Sequence, residues 1–282
     1  MSIKTTTFRN LIIDMDGVLW RGDTPMPGLP DFFQALQDLQ INFVLATNNA
    51  TGIATQYAEK LQAYGVTVAP EAILTSAEAT ASYLQKRFPA GATAYVLGES
   101  GLRAAMQRNA FEVLSDEGFV DHDVRADVVV VGFTRYACYA QIASAAFLVN
   151  NGALFVGTNP DPTFPHEVGP LPGAGAFLAF IETATGCRPV IIGKPGSAIF
   201  EEALIRLGGT REETSMVGDR LETDIAGAHA AGLNSILLLS GVTSREQLAD
   251  SEIVPDLVFD DIQELTRHLL SKNGYVPKDH GR

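Results

Sequence analysis

The sequence is poor in cysteine and in positive charge. It has two cysteines among 282 residues, Cys138 and Cys187, which is too few for a disulfide framework and suits a reducing, cytoplasmic setting. Both are expected to pack as small apolar side chains. The formal net charge of -13 argues against nucleic acid or an anionic membrane as a partner, because both are bound by clustered Lys and Arg.

Long apolar segments are also lacking. Residues 1–10 have neither the apolar core nor the cleavage site of a signal peptide, so we expect none. Residues 136–160 carry no Asp, Glu, Lys or Arg, but Asn-Asn-Gly at 150–152 interrupts them. Because a membrane-spanning helix needs about 20 predominantly apolar residues, this segment instead predicts a buried helix, a turn and a buried strand.

Short apolar runs alternate with helical patterns near both ends of the chain. The runs predict strands at residues 11–13, 43–46, 190–192, 216–217 and 236–239. Helices are expected between them, one with Thr51 as its N-cap and others ending at Gly208 and Gly232. This alternation predicts an α/β fold with a parallel sheet covered on both faces, which binds ligands beyond the carboxyl ends of its strands.

The middle of the chain repeats the pattern with strands of its own. They are expected at residues 94–97, 127–131 and 154–156, before a Pro- and Gly-rich loop at 159–175. A loop of that length inside a compact domain is usually functional. We therefore predict a core domain of residues 1–80 and 183–282, with a second α/β domain, residues 81–182, inserted into it.

The first chemical motif, Asp14-Met15-Asp16-Gly17, directly follows an apolar strand. Two carboxylates held close together cannot both stay ionised cheaply unless a cation joins them. The motif is therefore a hard-metal site, a nucleophile beside a general acid, or simply a solvated Asp-Gly turn.

Two further motifs also follow apolar runs. Thr47-Asn48-Asn49 offers a hydroxyl and backbone amides that suit an anion, although Thr and Asn also cap helices routinely. Lys194, in Gly-Lys-Pro-Gly, either points into the ligand crevice or is an ordinary exposed lysine. It does not belong to a P-loop, whose upstream glycines and following Ser or Thr are missing.

A fourth motif runs from Gly218 to Asp224. Asp219 lies at a strand end, where its carboxylate faces the crevice, and Asp224 lies at a helix start. Asp224 either caps that helix or holds a metal-bound water.

In order along the chain, these motifs resemble the signature of the haloacid dehalogenase superfamily. The matching residues are the DxD pair Asp14 and Asp16, then Thr47, Lys194, and the GDxxxxD that contains Asp219 and Asp224. The inserted domain resembles the cap of the type-IIA branch, which includes 4-nitrophenylphosphatase-like, phosphoglycolate phosphatase and ribonucleotide monophosphatase proteins. The resemblance implies a Rossmann-like parallel core, an inserted α/β cap, and Mg²⁺-dependent hydrolysis of small phosphate monoesters.

The resemblance also implies roles for the acidic residues. Asp14 would be the nucleophile that forms an aspartyl-phosphate, and Asp16 the general acid and base. Asp14, the carbonyl oxygen of Asp16, and Asp219 would bind Mg²⁺, with Asp224 orienting a bound water.

The remaining roles concern the phosphate ester. Thr47, Asn48 and Asn49 would hold phosphate oxygens, and Lys194 would neutralise the phosphoryl group and the nucleophile. In the cap loop, Asn159 and Asp161 are the expected substrate contacts.

Three other side chains each have two possible roles. Phe164 and His166 in the cap loop either contact substrate or pack within the loop, and Trp20 lies either at the site entrance or in the core. A non-catalytic phosphate or metal sensor on the same fold and a phosphomutase are the alternative functions. The sequence leaves a homodimer open.

Overall fold

The computed structural model describes residues 8–164 and 169–272. They divide into two compact units. The first contains the chain up to Leu45, then Ala58–Ala72, and then the chain from Ala203 onward; the second contains Ala46–Tyr57 and Ile73–Glu202. The domain boundaries inferred from the sequence, after residues 80 and 182, stay a prediction.

Strands and helices alternate along most of the described chain. The strands are β1 (Asn10–Ile13), β2 (Trp20–Arg21), β3 (Thr24–Pro25), β4 (Asn42–Thr47), β5 (Ile73–Thr75), β6 (Thr93–Leu97), β7 (Glu112–Val113), β8 (Val128–Val131), β9 (Leu154–Gly157), β10 (Thr163–Phe164), β11 (Leu171–Pro172), β12 (Val190–Ile191), β13 (Thr214–Gly218), β14 (Asn234–Leu238) and β15 (Leu257–Phe259). The helices are α1 (Leu29–Asp38), α2 (Ala54–Ala63), α3 (Ser76–Gln85), α4 (Ser100–Arg108), α5 (Tyr139–Asn150), α6 (Ala174–Thr185), α7 (Ser197–Leu207), α8 (Ala226–Ala230), α9 (Arg245–Ala249) and α10 (Ile262–Lys272). A 3-10 turn, Pro70–Ala72, precedes β5, and a π-helical turn, Leu221–Ile225, precedes α8. The alternation is interrupted by the successive strands β1–β3, β7–β8 and β9–β11.

The first unit is built around a parallel sheet. Its order is β15-β14-β13-β1-β4, and β4 continues into the second unit, where β5 is its neighbour. Strand β1 lies between β13 and β4, and the side chains of Leu11, Ile12 and Ile13 are fully buried. A strand buried on both faces needs continuous apolar residues, so the predicted α/β architecture with a parallel sheet is confirmed.

The helix after β4 begins later than predicted. Thr51 was expected as its N-cap, but α2 starts at Ala54. The Thr51 hydroxyl donates instead to Asn49 Oδ1, at 2.7 Å, and Gln56 Oε1 accepts the backbone N–H of Ile53, at 3.0 Å. The local polar turn at Asn49 therefore competes successfully with helix capping.

The second unit has a parallel sheet of its own, with the order β12-β9-β8-β6-β7. Its central strand β8 consists of four fully buried valines. The run at residues 190–192 was expected in one sheet with β1, β4 and β13. That expectation was wrong, because Val190 and Ile191 pair with Val156 and Gly157 of β9. A two-residue strand carries too little pattern for the sequence to specify its partner.

The uncharged segment folds as expected, into α5, a turn and β9. Within the described residues, no helix is both long and apolar enough to cross a membrane. The loop at 159–175 contains a short antiparallel pair, β10 with β11, which the sequence did not predict. Both cysteines are exposed rather than packed, contrary to the expectation from their apolar character.

Two titratable side chains in the packed parts of the units have shifted pKa values. Burial raises the pKa of Tyr95 to about 12, and the Tyr95 hydroxyl donates to the carbonyl oxygen of Gln141 at 3.1 Å. Burial also lowers the pKa of His268, whose ring lies 5.8 Å from that of Phe8 and 5.0 Å from that of Phe259. In both cases the apolar surroundings disfavour the charged form.

Candidate active site

Two buried carboxylates lie where β1 and β13 end. Ile13, the last residue of β1, is paired with Val217, and the next backbone N–H, that of Asp14, donates to the Val217 carbonyl oxygen at 2.8 Å. Asp219 follows the end of β13. Because the two strands are parallel neighbours, their carboxyl ends bring Asp14 and Asp219 to the same edge of the sheet.

Asp224 completes a compact acidic cluster with these two residues. Each of Asp14, Asp219 and Asp224 offers one ligand atom, and these atoms lie within 4.8 Å of one another. The three residues are 7%, 0% and 1% exposed. At 4.8 Å and an effective dielectric constant near 20, each pair of like charges repels by about 3.5 kcal/mol.

This donor set fits a hard divalent cation. Carboxylate oxygens are the ligands that Mg²⁺ and Ca²⁺ take in proteins, and a cation relieves the mutual repulsion of the three groups. The cluster contains three of the four residues that the sequence predicted at the metal site, Asp14 and Asp219 as ligands and Asp224 as the residue that orients a bound water. The fourth, Asp16, was predicted to bind through its backbone carbonyl oxygen, which stays a prediction.

Backbone amides set the positions of Asp219 and Asp224. Asp219 Oδ2 accepts the N–H of Val242 at 2.8 Å. Asp224 Oδ2 accepts the N–H groups of Asp219, at 3.1 Å, and of Arg220, at 3.0 Å. Asp224 thus acts as a local cap for its turn and also lies in the acidic cluster, so the two roles weighed from the sequence are compatible.

Two glycines leave the room that Asp219 occupies. A Cβ at Gly17 would lie 2.8 Å from Cγ of Asp219 and would overlap its Oδ2, and Gly17 also has a φ of +89°. A Cβ at Gly241 would overlap Cβ, Cγ and Oδ2 of the same side chain. Any larger residue at either position must therefore displace this carboxylate.

Asp16 is arranged differently from the clustered carboxylates. It is an exposed residue, and its Oδ1 accepts the indole N–H of Trp20 at 2.8 Å. Trp20 itself is 1% exposed, with its ring 4.8 Å from the ammonium of Lys60. Of the two positions considered for Trp20, the structure therefore shows burial, combined with a direct contact to Asp16.

In the second unit, Thr47 ends β4 and is 3% exposed. Its Oγ1 accepts the backbone N–H of Asn49 at 3.1 Å, and Asn49 Oδ1 accepts the N–H of Thr51 at 2.9 Å. The Asn49 amide, one of the groups predicted to hold phosphate, is therefore engaged within its own turn. The hydroxyl of Thr47, which accepts that bond, can still donate its own proton.

Asn48 joins the other predicted binding residues of this unit. Its Nδ2 donates to the carbonyl oxygen of Lys194 at 2.9 Å and to Asp161 Oδ2 at 3.3 Å. Its own carbonyl oxygen accepts the side chains of Asn159, at 2.8 Å, and Ser76, at 2.7 Å. Four residues that the sequence singled out separately thus form one hydrogen-bond network.

Lys194 is 3% exposed, so the reading of this residue as an ordinary surface lysine is wrong. It directly follows Gly193, whose N–H donates to the Thr158 carbonyl oxygen at 2.9 Å. A Cβ at Gly193 would lie 2.7 Å from Asn48 Oδ1, so only glycine lets the chain pass here without displacing its neighbours.

The cap-loop aromatic residue Phe164 stacks on Phe133, with ring centroids 4.7 Å apart. The guanidinium of Arg135 lies 5.4 Å from the Phe164 ring and also pairs with Glu99 at 2.7 Å. Phe164 therefore packs within its own unit. His166, the other loop residue singled out, lies outside the described residues.

Three features of the site were not predicted from the sequence. They are the bond from Trp20 to Asp16, the contact of Gly241 with Asp219, and the central position of Asn48 in its network. Only the first has a local signal, because its partners are four residues apart. The others join segments far apart in the chain.

Comparison with known proteins gives one consistent family. Residues 11–112 match the haloacid dehalogenase-like hydrolase family, and residues 191–265 match a related HAD-hydrolase-like family. The chain is 35% identical over 262 residues to an acid sugar phosphatase of Staphylococcus saprophyticus. The matched region covers 93% of this chain and 98% of that protein.

Solved structures agree with these matches. A p-nitrophenyl phosphatase from Archaeoglobus fulgidus superposes with a TM-score of 0.86 at 31% identity, covering 93% of this chain and 99% of that one. A glycerol phosphate phosphatase from Mycobacterium tuberculosis, solved in complex with magnesium, superposes with a TM-score of 0.83 at 33% identity. The match covers 95% of this chain and 80% of that one. The chain therefore belongs to the haloacid dehalogenase-like hydrolases, in their capped type-IIA branch, and is a hydrolase.

Proposed function

We propose that the protein is a Mg²⁺-dependent phosphatase that hydrolyses small phosphate monoesters through an aspartyl-phosphate on Asp14. The observation that carries the proposal is the contrast between the carboxylates of the first unit. Asp14 lies in a buried acidic cluster with Asp219 and Asp224, whereas the Asp16 carboxylate is exposed and hydrogen-bonded to Trp20. This contrast supports a role beside a cation for Asp14 and a role in proton exchange for Asp16.

In the first half of the reaction, a carboxylate oxygen of Asp14 attacks phosphorus. An O–P bond to Asp14 forms as the ester P–O bond breaks. Asp16 gives its proton to the leaving oxygen, so the alcohol departs neutral.

In the second half, water attacks the phosphorus of the aspartyl-phosphate, and Asp16 takes a proton from that water. The bond to Asp14 breaks, inorganic phosphate leaves, and both carboxylates return to their starting states. Mg²⁺ held by Asp14, the carbonyl oxygen of Asp16 and Asp219, with Asp224 orienting a bound water, would supply positive charge against the phosphoryl oxygens. It would thereby reduce the repulsion between the Asp14 carboxylate and the phosphate ester.

The relatives support the substrate class. They are named acid sugar phosphatase, p-nitrophenyl phosphatase and glycerol phosphate phosphatase, and the last was solved in complex with magnesium. We propose a small phosphate monoester for this chain, without nucleic acid or membrane as partner, in the cytoplasm. That Thr47 and Lys194 act on the same phosphoryl group stays a prediction from the motifs, and a homodimer stays an arrangement that the sequence leaves open.

The first test is hydrolysis of 4-nitrophenyl phosphate by the purified protein with Mg²⁺ and with excess EDTA. We expect turnover only with Mg²⁺, and none in Asp14→Asn. Asp16→Asn should still release 4-nitrophenolate once, because this leaving group needs no protonation, and should then retain the phosphoryl group on Asp14. Intact mass spectrometry would detect that group. As a control, Asp250→Asn changes an exposed carboxylate at the end of α9 and should match the wild type.

The outcomes separate the proposed function from its alternatives. A folded protein that shows no turnover of any phosphate ester with any divalent cation, but binds inorganic phosphate or Mg²⁺, would be a sensor. Transfer of the phosphoryl group to a second sugar hydroxyl rather than to water would indicate a phosphomutase. Full activity in Asp14→Asn would exclude the aspartyl-phosphate.

A further inference from the structure

We propose that Trp20 is a positioning residue for Asp16. Its indole N–H holds one carboxylate oxygen, Oδ1, and thereby presents the other oxygen, Oδ2, for the proton transfers of both half-reactions. The inference rests on the proposed function, because it deepens the role of Asp16 in the same reaction.

The contact is short and built into a tight turn. Trp20 Nε1 lies 2.8 Å from Asp16 Oδ1. The turn is closed by the N–H of Leu19 donating to the Met15 carbonyl oxygen and by the N–H of Gly17 donating to that of Trp20, both at 2.8 Å. The buried indole of Trp20 is therefore hydrogen-bonded to the carboxylate of the exposed residue Asp16.

The indole is held in place from the side of α2. The ammonium of Lys60 lies 4.8 Å from the ring centroid of Trp20 and donates to the Gly22 carbonyl oxygen at 2.7 Å. The hydroxyl of Tyr64 donates to the Asp23 carbonyl oxygen at 2.8 Å. Both bonds end on the turn between β2 and β3, so the hairpin that carries Trp20 is tied to the last turn of α2 and to the residue that follows it.

The same hairpin is tied on another side to the segment after β14. The hydroxyl of Ser240 donates to the Gly17 carbonyl oxygen at 3.0 Å, and the guanidinium of Arg21 donates to the Ser240 carbonyl oxygen. The turn that contains Asp16 and the hairpin that contains Trp20 are thus fixed to one common segment. Such support is what a side chain needs if it is to orient another one.

The indole N–H determines which carboxylate oxygen of Asp16 can take part in proton transfer. An indole N–H donates and never accepts, so Oδ1 is committed as its acceptor. A proton carried by Asp16 must then reside on Oδ2, the oxygen that faces no indole. Without Trp20, an exposed carboxylate would rotate among several rotamers, and the correctly aimed fraction would fall.

The decisive variant is Trp20→Phe, which keeps an apolar aromatic ring and removes the N–H. We compare kcat/KM for 4-nitrophenyl phosphate and for glycerol phosphate, an ester whose alkoxide leaving group needs protonation. We expect Trp20→Phe to lose about 10-fold more activity on glycerol phosphate than on 4-nitrophenyl phosphate. In the Asp16→Asn background, the same substitution should not change the burst of 4-nitrophenolate.

Tyr64→Phe is the matched control. It removes a hydrogen bond to the same hairpin without touching Asp16, so its effect should be independent of the leaving group. Equal losses on both esters in Trp20→Phe would show a merely structural role and overturn the proposal.

A spectroscopic measurement tests the contact without any turnover. The chain has one tryptophan, so its indole ¹H–¹⁵N resonance is unambiguous. We expect this proton to resonate further downfield in the wild type than in Asp16→Ala, because the bond to a carboxylate is lost in the variant. An unchanged resonance would overturn the proposal. An inactive wild type with the expected shift would instead refute the proposed function and leave the contact established.

Discussion

Gly241→Ala should weaken Mg²⁺ binding while leaving the fold intact. The added Cβ would overlap three side-chain atoms of Asp219. Each of them would lie closer to it than 3.0 Å, the shortest distance at which Cβ atoms are normally found from other atoms. Gly241 does not have a positive φ, so the substitution acts through contact and not through backbone strain. Asp219 has to move, because the added Cβ is fixed to the backbone, and any movement of the carboxylate disturbs the hydrogen bond that it accepts from the Val242 amide.

The size of the effect follows from the geometry of the cluster. Restoring ordinary contact requires a displacement of roughly 1 Å, which is about half of an Mg–O bond of 2.0–2.1 Å. Mg²⁺ demands near-ideal octahedral geometry, so one ligand is lost or badly aimed. Changes to the groups that support a metal ligand cost about 10–100-fold in affinity, and a 10-fold loss corresponds to about 1.4 kcal/mol.

The assay is urea unfolding in EDTA and again at a fixed Mg²⁺ concentration. The difference between the two free energies of unfolding measures binding to the folded state. This difference should be at least ~1.4 kcal/mol smaller in Gly241→Ala than in the wild type when Mg²⁺ is well above the dissociation constant. Gly91→Ala, at an open site with a φ of +84°, is the control for a general loss of stability. If Gly241→Ala keeps the full Mg²⁺ stabilisation, Asp219 is not a metal ligand and the reasoning fails.

Three further predictions concern charged and titratable groups. Lys194→Met should abolish phosphatase turnover, whereas Lys86→Met, which removes an exposed ion pair with Glu202, should leave kcat unchanged in the same assay. Because the folded-state pKa of Tyr95 is raised to about 12, its contribution to stability is complete below pH 10 and is lost as the pH rises towards 12; Tyr95→Phe should flatten this part of the curve of unfolding free energy against pH. Because the folded-state pKa of His268 is lowered, its contribution to stability is present above pH 6.5 and is lost at more acidic pH. The melting temperature should therefore fall less on acidification in His268→Phe than in the wild type. An equal fall in both proteins would contradict the lowered pKa of His268.

The sequence allowed most of the carboxylate site to be predicted. Asp14 and Asp219 each follow a strand whose apolar residues are continuous, and parallel neighbours end at the same edge of a sheet. Residue type and strand position were therefore enough to expect an acidic cluster. The predicted roles of these residues in metal binding and catalysis await the experiments above.

Other parts of the site could not be predicted because they depend on side-chain placement. The Thr47 hydroxyl and the Asn49 amide bind each other, although both were expected to face an anion. Lys194 could not be identified as buried, since lysine is usually exposed and the strand that precedes it, β12, is only two residues long. The exposure of Cys138 and Cys187 could not be predicted either. Whether a small side chain is buried depends on which neighbouring segments cover it in the fold.

Local patterns in the sequence were enough to predict the alternation of strands and helices, the family, and the order of the chemical motifs. These features depend on local periodicity and on residue types at short spacing. The pairing of β12 with β9 and the hydrogen bonds of Asn48 to Asp161 and Lys194 became visible only in the folded chain. It alone also showed that Trp20 donates to Asp16. Such contacts depend on the three-dimensional course of the chain and on side-chain rotamers, neither of which leaves a periodic signal in the sequence.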